Sequence, residues 1–203
     1  MKLFYGPASC SMASHITLYE LGLPFEVERV DLREKKVASG DFNTINPKGY
    51  VPALQLDGGE ILTEGAAILQ YLADQKPELK LAPAWGTIER YRLQEWLNYI
   101  ATEVHKNFSP LWKKDSSAEA RQSAVDVLKK RFDFLSSAMA KAPFLMGQQF
   151  TVADAYLFTV LNWSHYVKLD LSPWPILQKY LTSLSTRPSV VSTLKAEGLL
   201  KAA

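Results

Sequence analysis

The sequence contains a single cysteine, Cys10, in the stretch YGPASCSMASH. Such a thiol could act as a nucleophile, exchange with the sulfur of another molecule, or simply pack as a small apolar side chain. If a helix begins near Ser11, the unpaired amides and the positive dipole at its N-terminus favour a thiolate at Cys10. The second position of a C-x-x-C motif is Ala13, so an intramolecular disulfide is excluded. Cys10 is therefore a candidate catalytic thiol that would act on another molecule.

A proline loop is the second candidate element, in the stretch NPKGYVPAL. A residue before proline favours extended geometry, which places Val51 at the entry of a strand. If the bond between Val51 and Pro52 is cis, the Val51 N–H and C=O would face outward and pair with a peptide as an added strand. The alternative is an ordinary turn proline, and the sequence leaves the isomer open.

The third candidate element is LTEGAAI, in which Glu64 and Gly65 begin a helix directly after a strand. Backbone amides near Gly65 could hold a ligand carboxylate, while the Glu64 carboxylate could pair with a ligand ammonium. Together these two groups suit the head group of an amino acid. The alternative is a first-turn acid that only complements the helix dipole.

Short strand patterns alternate with helical ones in the first 75 or so residues. KLFY predicts a strand, and a helical apolar spacing follows until Gly22. FEVERV alternates as a half-buried strand does, and a polar stretch separates it from VPALQL. VPALQL and EILT, joined through Asp57 to Gly59, predict a hairpin, and EGAAILQYLADQ predicts a closing helix. The order βαβ-α-ββα predicts an α/β thioredoxin-like domain over residues 1–80.

After a linker at 81–86, only helical patterns follow, which predicts an all-α domain over residues 87–203. Capping boxes are predicted for Ser116 with Glu119 and for Thr151 with Asp154. Two further helix starts are predicted at Ser172 with Pro173 and at Arg187 with Pro188.

The overall charge excludes several classes of partner. The chain has 23 Lys and Arg against 21 Asp and Glu, so it lacks the strongly basic field of a nucleic-acid-binding protein. We find neither an apolar run long enough to cross a membrane nor a signal-peptide pattern. One cysteine cannot form an intrachain disulfide, which fits a reducing compartment. We therefore expect a cytoplasmic protein that binds neither nucleic acid nor membrane.

Four stretches occur in the order found in the glutathione S-transferases: YGPASCSMASHITLYELG, NPKGYVPALQL, LTEGAAILQYLAD and FTVADAYLF. The CS pair at the first helix, together with EWLNYIATEVHK, is similar to the bacterial beta class in particular. The resemblance covers essentially the whole chain. It implies a homodimer that binds glutathione near its interface in the first domain and an electrophile against the helical domain. It also implies that glutathione is a co-substrate and that no metal or other cofactor is used.

The resemblance also implies roles for individual residues. Cys10 and His105 would be catalytic, with His105 close to the glutathione sulfur. Val51 would pair with the cysteinyl backbone, and Lys35 would reach the glycyl carboxylate. The remaining contacts to glutathione would come from polar or glycine positions, some of them reaching across the dimer: Glu64 and Gly65 at the γ-glutamyl end, and Asn98, Thr102 and Glu103 in the helical domain. Many family members carry Ser after the Glu, so Gly65 offers one contact fewer.

The predicted helix from about Thr87 to Phe108 has two organised faces. At 100° per residue, one face is apolar and consists of Leu93, Trp96, Leu97, Ile100, Val104 and Phe108. The opposite face carries Tyr91, Asn98, Thr102 and His105. The polar face could line a cleft or simply meet solvent. His15 and His165 lack such a context, and we interpret both as structural.

Two adjacent thiolates would repel each other, so Cys10 and the glutathione sulfur should not both be ionised. A neutral Cys10 would donate a hydrogen bond to the glutathione thiolate, which supports conjugation to small apolar electrophiles. An ionised Cys10 would form a mixed disulfide, which supports thiol-disulfide exchange or peroxidase activity. We expect glutathione conjugation. The alternatives are a glutathione-dependent isomerase and a non-catalytic protein that binds apolar ligands or glutathione conjugates.

Overall fold

The computed structural model describes residues 1–200. Contacts divide the chain into two units, one made of Met1–Ala82 together with the residues from Thr186 onward, and one made of Pro83–Ser185. Each unit has its own buried core.

The first unit is built on a four-stranded sheet. The elements up to residue 82 are β1 Lys2–Tyr5, α1 Ser11–Leu21, β2 Glu26–Arg29, β3 Lys36–Val37, β4 Gly40–Asp41, α2 Phe42–Ile45, β5 Ala53–Gln55, β6 Ile61–Thr63, α3 Gly65–Asp74 and a 3₁₀ turn at Pro77–Leu79. The strands of the sheet lie in the order β2-β1-β5-β6; β1 pairs in parallel with β2 and antiparallel with β5, and β5 and β6 form the predicted hairpin. This order confirms the thioredoxin-like fold.

The register of the sheet sets buried side chains opposite each other in β1 and β5. Leu3 in β1 lies opposite Leu54 in β5, and both side chains are fully buried. The predicted half-buried strand at FEVERV is an edge strand instead, because β2 pairs only with β1 and the Val27 side chain remains 40% exposed. The polar stretch after it contains α2, the middle helix of the predicted order, which is capped by Asp41, and also the β3–β4 ribbon, which was not predicted.

The named elements of the second unit are helical. They are α4 Ile88–Tyr99, a π-helical segment Ile100–His105, a 3₁₀ turn Lys106–Phe108, α5 Ser109–Trp112, α6 Ala118–Ala138, α7 Val152–Val167 and α8 Pro175–Ser185. The predicted apolar face of the helix from residue 88 to 108 is confirmed. Its members are fully buried at Leu93, Leu97, Ile100, Val104 and Phe108, whereas Trp96 is half-buried.

The capping predictions are only partly confirmed. Thr151 and Asp154 form the predicted capping box at the start of α7. The box predicted at Ser116 is wrong, because Ser117 is the N-cap of α6 and its hydroxyl accepts a hydrogen bond from the Ala120 N–H. α8 begins at Pro175, two residues later than predicted, whereas the next helix starts at Pro188 as predicted.

The last helix, α9 Pro188–Ala196, packs against α1 in the first unit. Arg187 donates two hydrogen bonds to the Glu20 carboxylate at 2.6 and 2.7 Å, and this pair ties the start of α9 to the end of α1. The sequence pattern predicts that all of residues 87–203 belong to the helical domain, whereas contacts group the residues from Thr186 onward with the first unit. The reason is that α9 packs against α1 and that Arg187 pairs with Glu20. The linker at 81–86 as a domain boundary stays a prediction.

Within residues 1–200, no helix combines the length and the apolar character needed to cross a membrane.

We predict that Asp154→Ala destabilises the protein by about 2–4 kcal/mol, because it strands buried donors. Asp154 is fully buried and accepts hydrogen bonds from the N–H groups of Leu145 and Thr151, each at 2.9 Å, and from the Tyr180 hydroxyl at 3.1 Å. Urea unfolding followed by circular dichroism measures the loss. The matched control is Asp170→Ala, because exposed Asp170 likewise accepts hydrogen bonds from a backbone N–H and a hydroxyl, both of Ser172. Equal unfolding midpoints for the two variants would contradict the prediction.

Candidate functional site

Cys10 is the N-cap residue of α1, as the sequence predicts for a helix that begins at Ser11. Its side chain is half-buried, and the thiol donates a hydrogen bond to the Val51 carbonyl with an Sγ···O distance of 3.2 Å. The thiol is therefore carried by the residue that begins α1, and it contacts the proline loop. The geometry provides a half-buried thiol at the positive end of a helix.

The loop before Cys10 is closed by short-range hydrogen bonds. The Gly6 N–H donates to the Ser11 hydroxyl at 3.1 Å, and the Ser9 N–H donates to the Gly6 carbonyl at 3.1 Å. A Cβ at Gly6 would lie 2.8 Å from the Leu32 Cδ1 atom, so the exposed Leu32 side chain would have to move to accept one. Ala8 has a φ of 58°, a left-handed conformation that is uncommon for a residue other than glycine.

The bond between Val51 and Pro52 is cis, which answers the question that the sequence leaves open. The expectation of an unpaired Val51 carbonyl is wrong, because this carbonyl accepts the Cys10 thiol. Asn46, a buried residue that sequence reasoning missed, holds the loop through a hydrogen bond from its side-chain amide to the Tyr50 carbonyl at 2.6 Å. An asparagine directly before Pro47 is the signal that could have identified it.

Glu64 and Gly65 lie at the start of α3, as predicted. Glu64 has a φ of 70° and a largely exposed carboxylate, which accepts a hydrogen bond from the Lys48 ammonium at 2.7 Å. Lys48 was not predicted. A Cβ built on Gly65 would be 4.0 Å from the Pro52 Cγ atom, so α3 can accept a side chain at this position.

Lys35 also lies near the proline loop. Its ammonium donates to the Gly49 carbonyl at 2.9 Å, two residues before Val51. The first unit thus gathers all five of its predicted site residues around residues 46–52 of the proline loop or the adjoining helix starts. This set consists of Cys10, Lys35, Val51, Glu64 and Gly65.

His105 ends the π-helical segment of the second unit, where its ring is largely buried. Its Nδ1 atom is 2.7 Å from the Tyr156 hydroxyl, and its ring packs edge-on against Trp163 with centroids 4.7 Å apart. Burial, and secondarily the nearby Lys106 charge, lowers the pKa of His105 to about 4. The imidazole is therefore neutral at physiological pH. Tyr156, a partner that sequence reasoning missed, belongs to the FTVADAYLF stretch.

The other predicted residues of this unit lie in different surroundings. Asn98 and Thr102 are exposed, and the Thr102 hydroxyl donates to the Asn98 carbonyl at 3.0 Å. Glu103 is half-buried and forms an ion pair with Arg131 at 2.6 Å. His105 is half-buried, whereas Asn98 and Thr102 are exposed, and the π-helical segment departs from the 100° per residue on which the predicted shared face rests.

The other two histidines also differ in their surroundings. His15 is fully buried, and its Nδ1 atom is 3.0 Å from a Glu197 carboxylate oxygen, which supports a structural interpretation. His165 is exposed on α7. Across residues 1–200, no three His, Cys, Asp or Glu side chains are grouped as metal ligands would be.

Comparison with known proteins identifies the family. Residues 8–75 match the glutathione S-transferase N-terminal domain, and residues 99–188 match the C-terminal domain of the same enzymes. Glutathione S-transferase GstA of Escherichia coli O157:H7 is 48% identical over 200 residues, which cover 98% of this chain and all of that protein.

Solved structures agree with this result. A sphingomonad glutathione S-transferase complexed with glutathione has a TM-score of 0.95 and 46% identity, covering 98% of this chain and all of the other. The bacterial beta class enzyme of Sphingomonas chungbukensis has a TM-score of 0.95 and 48% identity over the same shares. The chain therefore belongs to the glutathione S-transferase family, in which it is similar to the bacterial beta class.

Proposed function

We propose that this protein is a glutathione transferase that joins reduced glutathione to small apolar electrophiles. The observation that carries the proposal is the Cys10 thiol at the start of α1, in hydrogen-bond contact with the cis-proline loop. A sphingomonad relative was solved in complex with glutathione, which supports glutathione as the thiol substrate.

Within the first unit, the proposed glutathione contacts follow the chemistry of each group. Glu64 would bind the γ-glutamyl ammonium, while the amide at Gly65 would bind the adjacent carboxylate. The Val51 backbone would pair with the cysteinyl residue, and the Lys35 ammonium would reach the glycyl carboxylate. Lys48 already pairs with Glu64, so the ligand ammonium would share this carboxylate with Lys48.

The Cys10 thiol is proposed to stay neutral and to donate a hydrogen bond to the glutathione thiolate. Its present donation to the Val51 carbonyl supports a protonated thiol, because a thiolate would face the carbonyl oxygen unfavourably. The glutathione sulfur would attack the electrophilic carbon and form a C–S bond. The leaving group would depart with its bonding electrons, and the thiol proton of glutathione would pass to solvent.

His105 is proposed as the second catalytic residue, acting in its neutral form. With a pKa near 4, its imidazole is a weak base, so a fixed hydrogen bond from the ring is a better role than proton abstraction. The Tyr156 hydroxyl fixes the orientation of the ring through Nδ1. Asn98, Thr102 and Glu103 are proposed as further glutathione contacts.

The remaining parts of the proposal rest on the resemblance of the sequence to beta class enzymes. We propose that the protein forms a homodimer and that the helical part of the chain contains the electrophile site. We also propose that the enzyme acts in the cytoplasm and uses neither a metal nor another cofactor. Neither a nucleic acid nor a membrane is proposed as a partner.

We predict that the purified protein binds glutathione-agarose and conjugates glutathione to chlorodinitrobenzene. Cys10→Ala should lower kcat about tenfold or more, because removing a hydrogen bond to a charged group costs about 1.5–3 kcal/mol. Steady-state kinetics at saturating glutathione measure the effect. The matched control is Ser39→Ala, which removes an exposed hydroxyl of the same unit that donates to Glu28 and lies outside the loop before Cys10.

Three outcomes decide among the candidate functions. Binding without turnover would favour the non-catalytic binding protein. A covalent glutathione adduct on Cys10, seen by intact mass after incubation with glutathione disulfide, together with turnover of disulfides only, would favour thiol transfer. Neither binding nor turnover would contradict the family function for this chain.

We predict that Gly65→Ser lowers the KM for glutathione about two- to fivefold with little change in kcat. The structure leaves room for a side chain at position 65, and a hydroxyl at the first residue of α3 would add one hydrogen bond to the bound carboxylate. Gly65→Ala is the matched control, because it adds the Cβ without the hydroxyl. A KM equal in the Ser and Ala variants would argue against a carboxylate at this position.

We predict that His105 makes the protein less stable as the pH falls from about 6.5 to 4. The neutral ring is favoured in the folded state and the charged ring in the unfolded state, so protonation favours unfolding by about 2–3 kcal/mol. Asp154 acts in the opposite direction, since burial raises its pKa to about 6. The measurement is therefore the difference in unfolding free energy between wild type and His105→Asn at each pH.

Asn preserves a polar atom near the Nδ1 position, so the contact with Tyr156 is kept while the titration is removed. His165→Asn, at an exposed position, is the control and should follow the wild-type pH dependence. A constant difference between wild type and His105→Asn from pH 7 to 4 would show that His105 is not held neutral.

A further inference from the structure

The C-terminal segment makes a buried contact with the loop that carries Cys10. Glu197, directly after α9, is almost fully buried. One of its carboxylate oxygens accepts a hydrogen bond from the Ala8 N–H at 2.9 Å, and the other lies 3.0 Å from the Nδ1 atom of His15. Ala8 precedes Cys10 by two residues, and His15 follows it on α1. The Glu197 carboxylate therefore contacts the backbone before the thiol and a side chain after it.

The hydrogen bond from the Ala8 N–H is made at the residue of this loop whose backbone conformation is unfavourable. Ala8 is in the left-handed region with a φ of 58°, a conformation that a residue other than glycine keeps only when its surroundings hold it there. A charged acceptor forms a stronger hydrogen bond than a neutral one, and the buried position excludes competition from water. The Glu197 carboxylate thus stabilises the particular loop conformation that leads into Cys10.

His15 fixes the Glu197 carboxylate in turn. The Nε2 atom of His15 is buried and has no hydrogen-bond partner within residues 1–200, so the ring proton is best placed on Nδ1, where it is donated to Glu197. His15 also packs between aromatic rings, with its ring centroid 5.5 Å from that of Tyr5 and 5.3 Å from that of Tyr19. Neither partner of the pair can move without disturbing this packing.

The segment 187–197 has a second polar anchor on α1, far from the thiol. At the C-terminal end of α1, Glu20 accepts two hydrogen bonds from Arg187 and one from the Ser189 hydroxyl. The two anchors attach the same segment to the same helix, but only the Glu197 anchor touches the loop before Cys10. This difference separates a local effect on the thiol from general stabilisation.

We propose that Glu197 is a positioning residue for Cys10: its carboxylate, oriented by His15, holds the Ala8 peptide and thereby sets the place of the thiol at the start of α1. The expected effect of Glu197 on the rate of glutathione conjugation rests on the proposed function. The C-terminal segment then acts on the thiol without touching substrate.

The test compares variants of the full-length protein. Glu197→Ala should lower kcat for glutathione conjugation about tenfold, since small displacements of a reacting group reduce rate strongly, and should leave the KM for glutathione within about twofold. Glu197→Gln should recover part of the activity, because its amide oxygen can accept from the Ala8 N–H, and His15 can carry its ring proton on Nε2 so that Nδ1 accepts the amide N–H. The rate constant for alkylation of Cys10 by iodoacetamide without glutathione reports on the thiol alone, since Cys10 is the only cysteine. It should change at least threefold in Glu197→Ala.

Arg187→Ala is the matched control, because it removes the anchor at the other end of the segment. It should lower the urea midpoint but leave kcat and the alkylation rate per folded molecule close to wild type. Equal rate changes in the two variants, or no change in Glu197→Ala, would overturn the proposal. If Glu197→Ala does not fold, Glu197→Asp withdraws the carboxylate by one methylene and gives the same comparison. Absence of turnover in the wild type would count against the proposed function, and the alkylation rates would still decide the role of Glu197.

Discussion

The burial of α1 is the constraint on which the first unit depends. Nine residues of this helix are buried, including the polar residues Ser11, Ser14, His15 and Thr17. A helix enclosed in this way cannot shift or fray at its start without exposing apolar side chains to water. Packing therefore limits where the N-terminus of α1 can lie, and the hydrogen bond from the Ala8 N–H to Glu197 holds the loop that leads into Cys10. The contact of the thiol with the Val51 carbonyl follows from this position rather than causing it.

Buried carboxylates supply the polar contacts that apolar packing cannot provide. Asp154 organises the start of α7 by accepting hydrogen bonds from backbone and hydroxyl donors within the second unit. Buried Glu197 and half-buried Glu20 perform the corresponding task where α9 meets α1 in the first unit. A buried carboxylate is costly unless its oxygens are occupied, so each one permits only a narrow range of backbone arrangements. In the first unit these carboxylates therefore fix the backbone around α1, which follows Cys10. In the second unit Asp154 fixes the start of α7, which carries Tyr156 and Trp163, the partners of His105.

Short-range sequence patterns predict most of the elements and much of the candidate site. The helix start at Ser11, the hairpin before Glu64 and the capping box of Asp154 each depend on residues within a few positions of one another. The contacts that were missed join distant parts of the chain, such as Lys48 with Glu64 and His105 with Tyr156. A hydrophobic period cannot report such pairs. The α9 segment was assigned to the helical domain for the same reason, since its helical pattern does not say against which element it packs.

The π-helical segment shows how a local departure from regular geometry changes chemistry. A regular helix predicts that His105 shares the exposed face of Asn98 and Thr102, where its pKa would remain near the ordinary value. At the end of the π-helical segment the ring contacts Tyr156 and Trp163, and burial lowers its pKa to about 4. A neutral imidazole cannot offset the charge of a nearby thiolate, although it can still form a directed hydrogen bond.

The stabilisation of a substrate thiolate therefore falls on the dipole of α1 and on hydrogen bonds. Lowering a thiol pKa by about two units corresponds to roughly 2.7 kcal/mol and raises the thiolate fraction at pH 7 by some tens-fold at most. Any larger acceleration has to come from holding the electrophile against the sulfur, where effective molarity contributes more. For that reason the position of Cys10 beside the glutathione sulfur matters more to the proposed reaction than any further lowering of the glutathione thiol pKa.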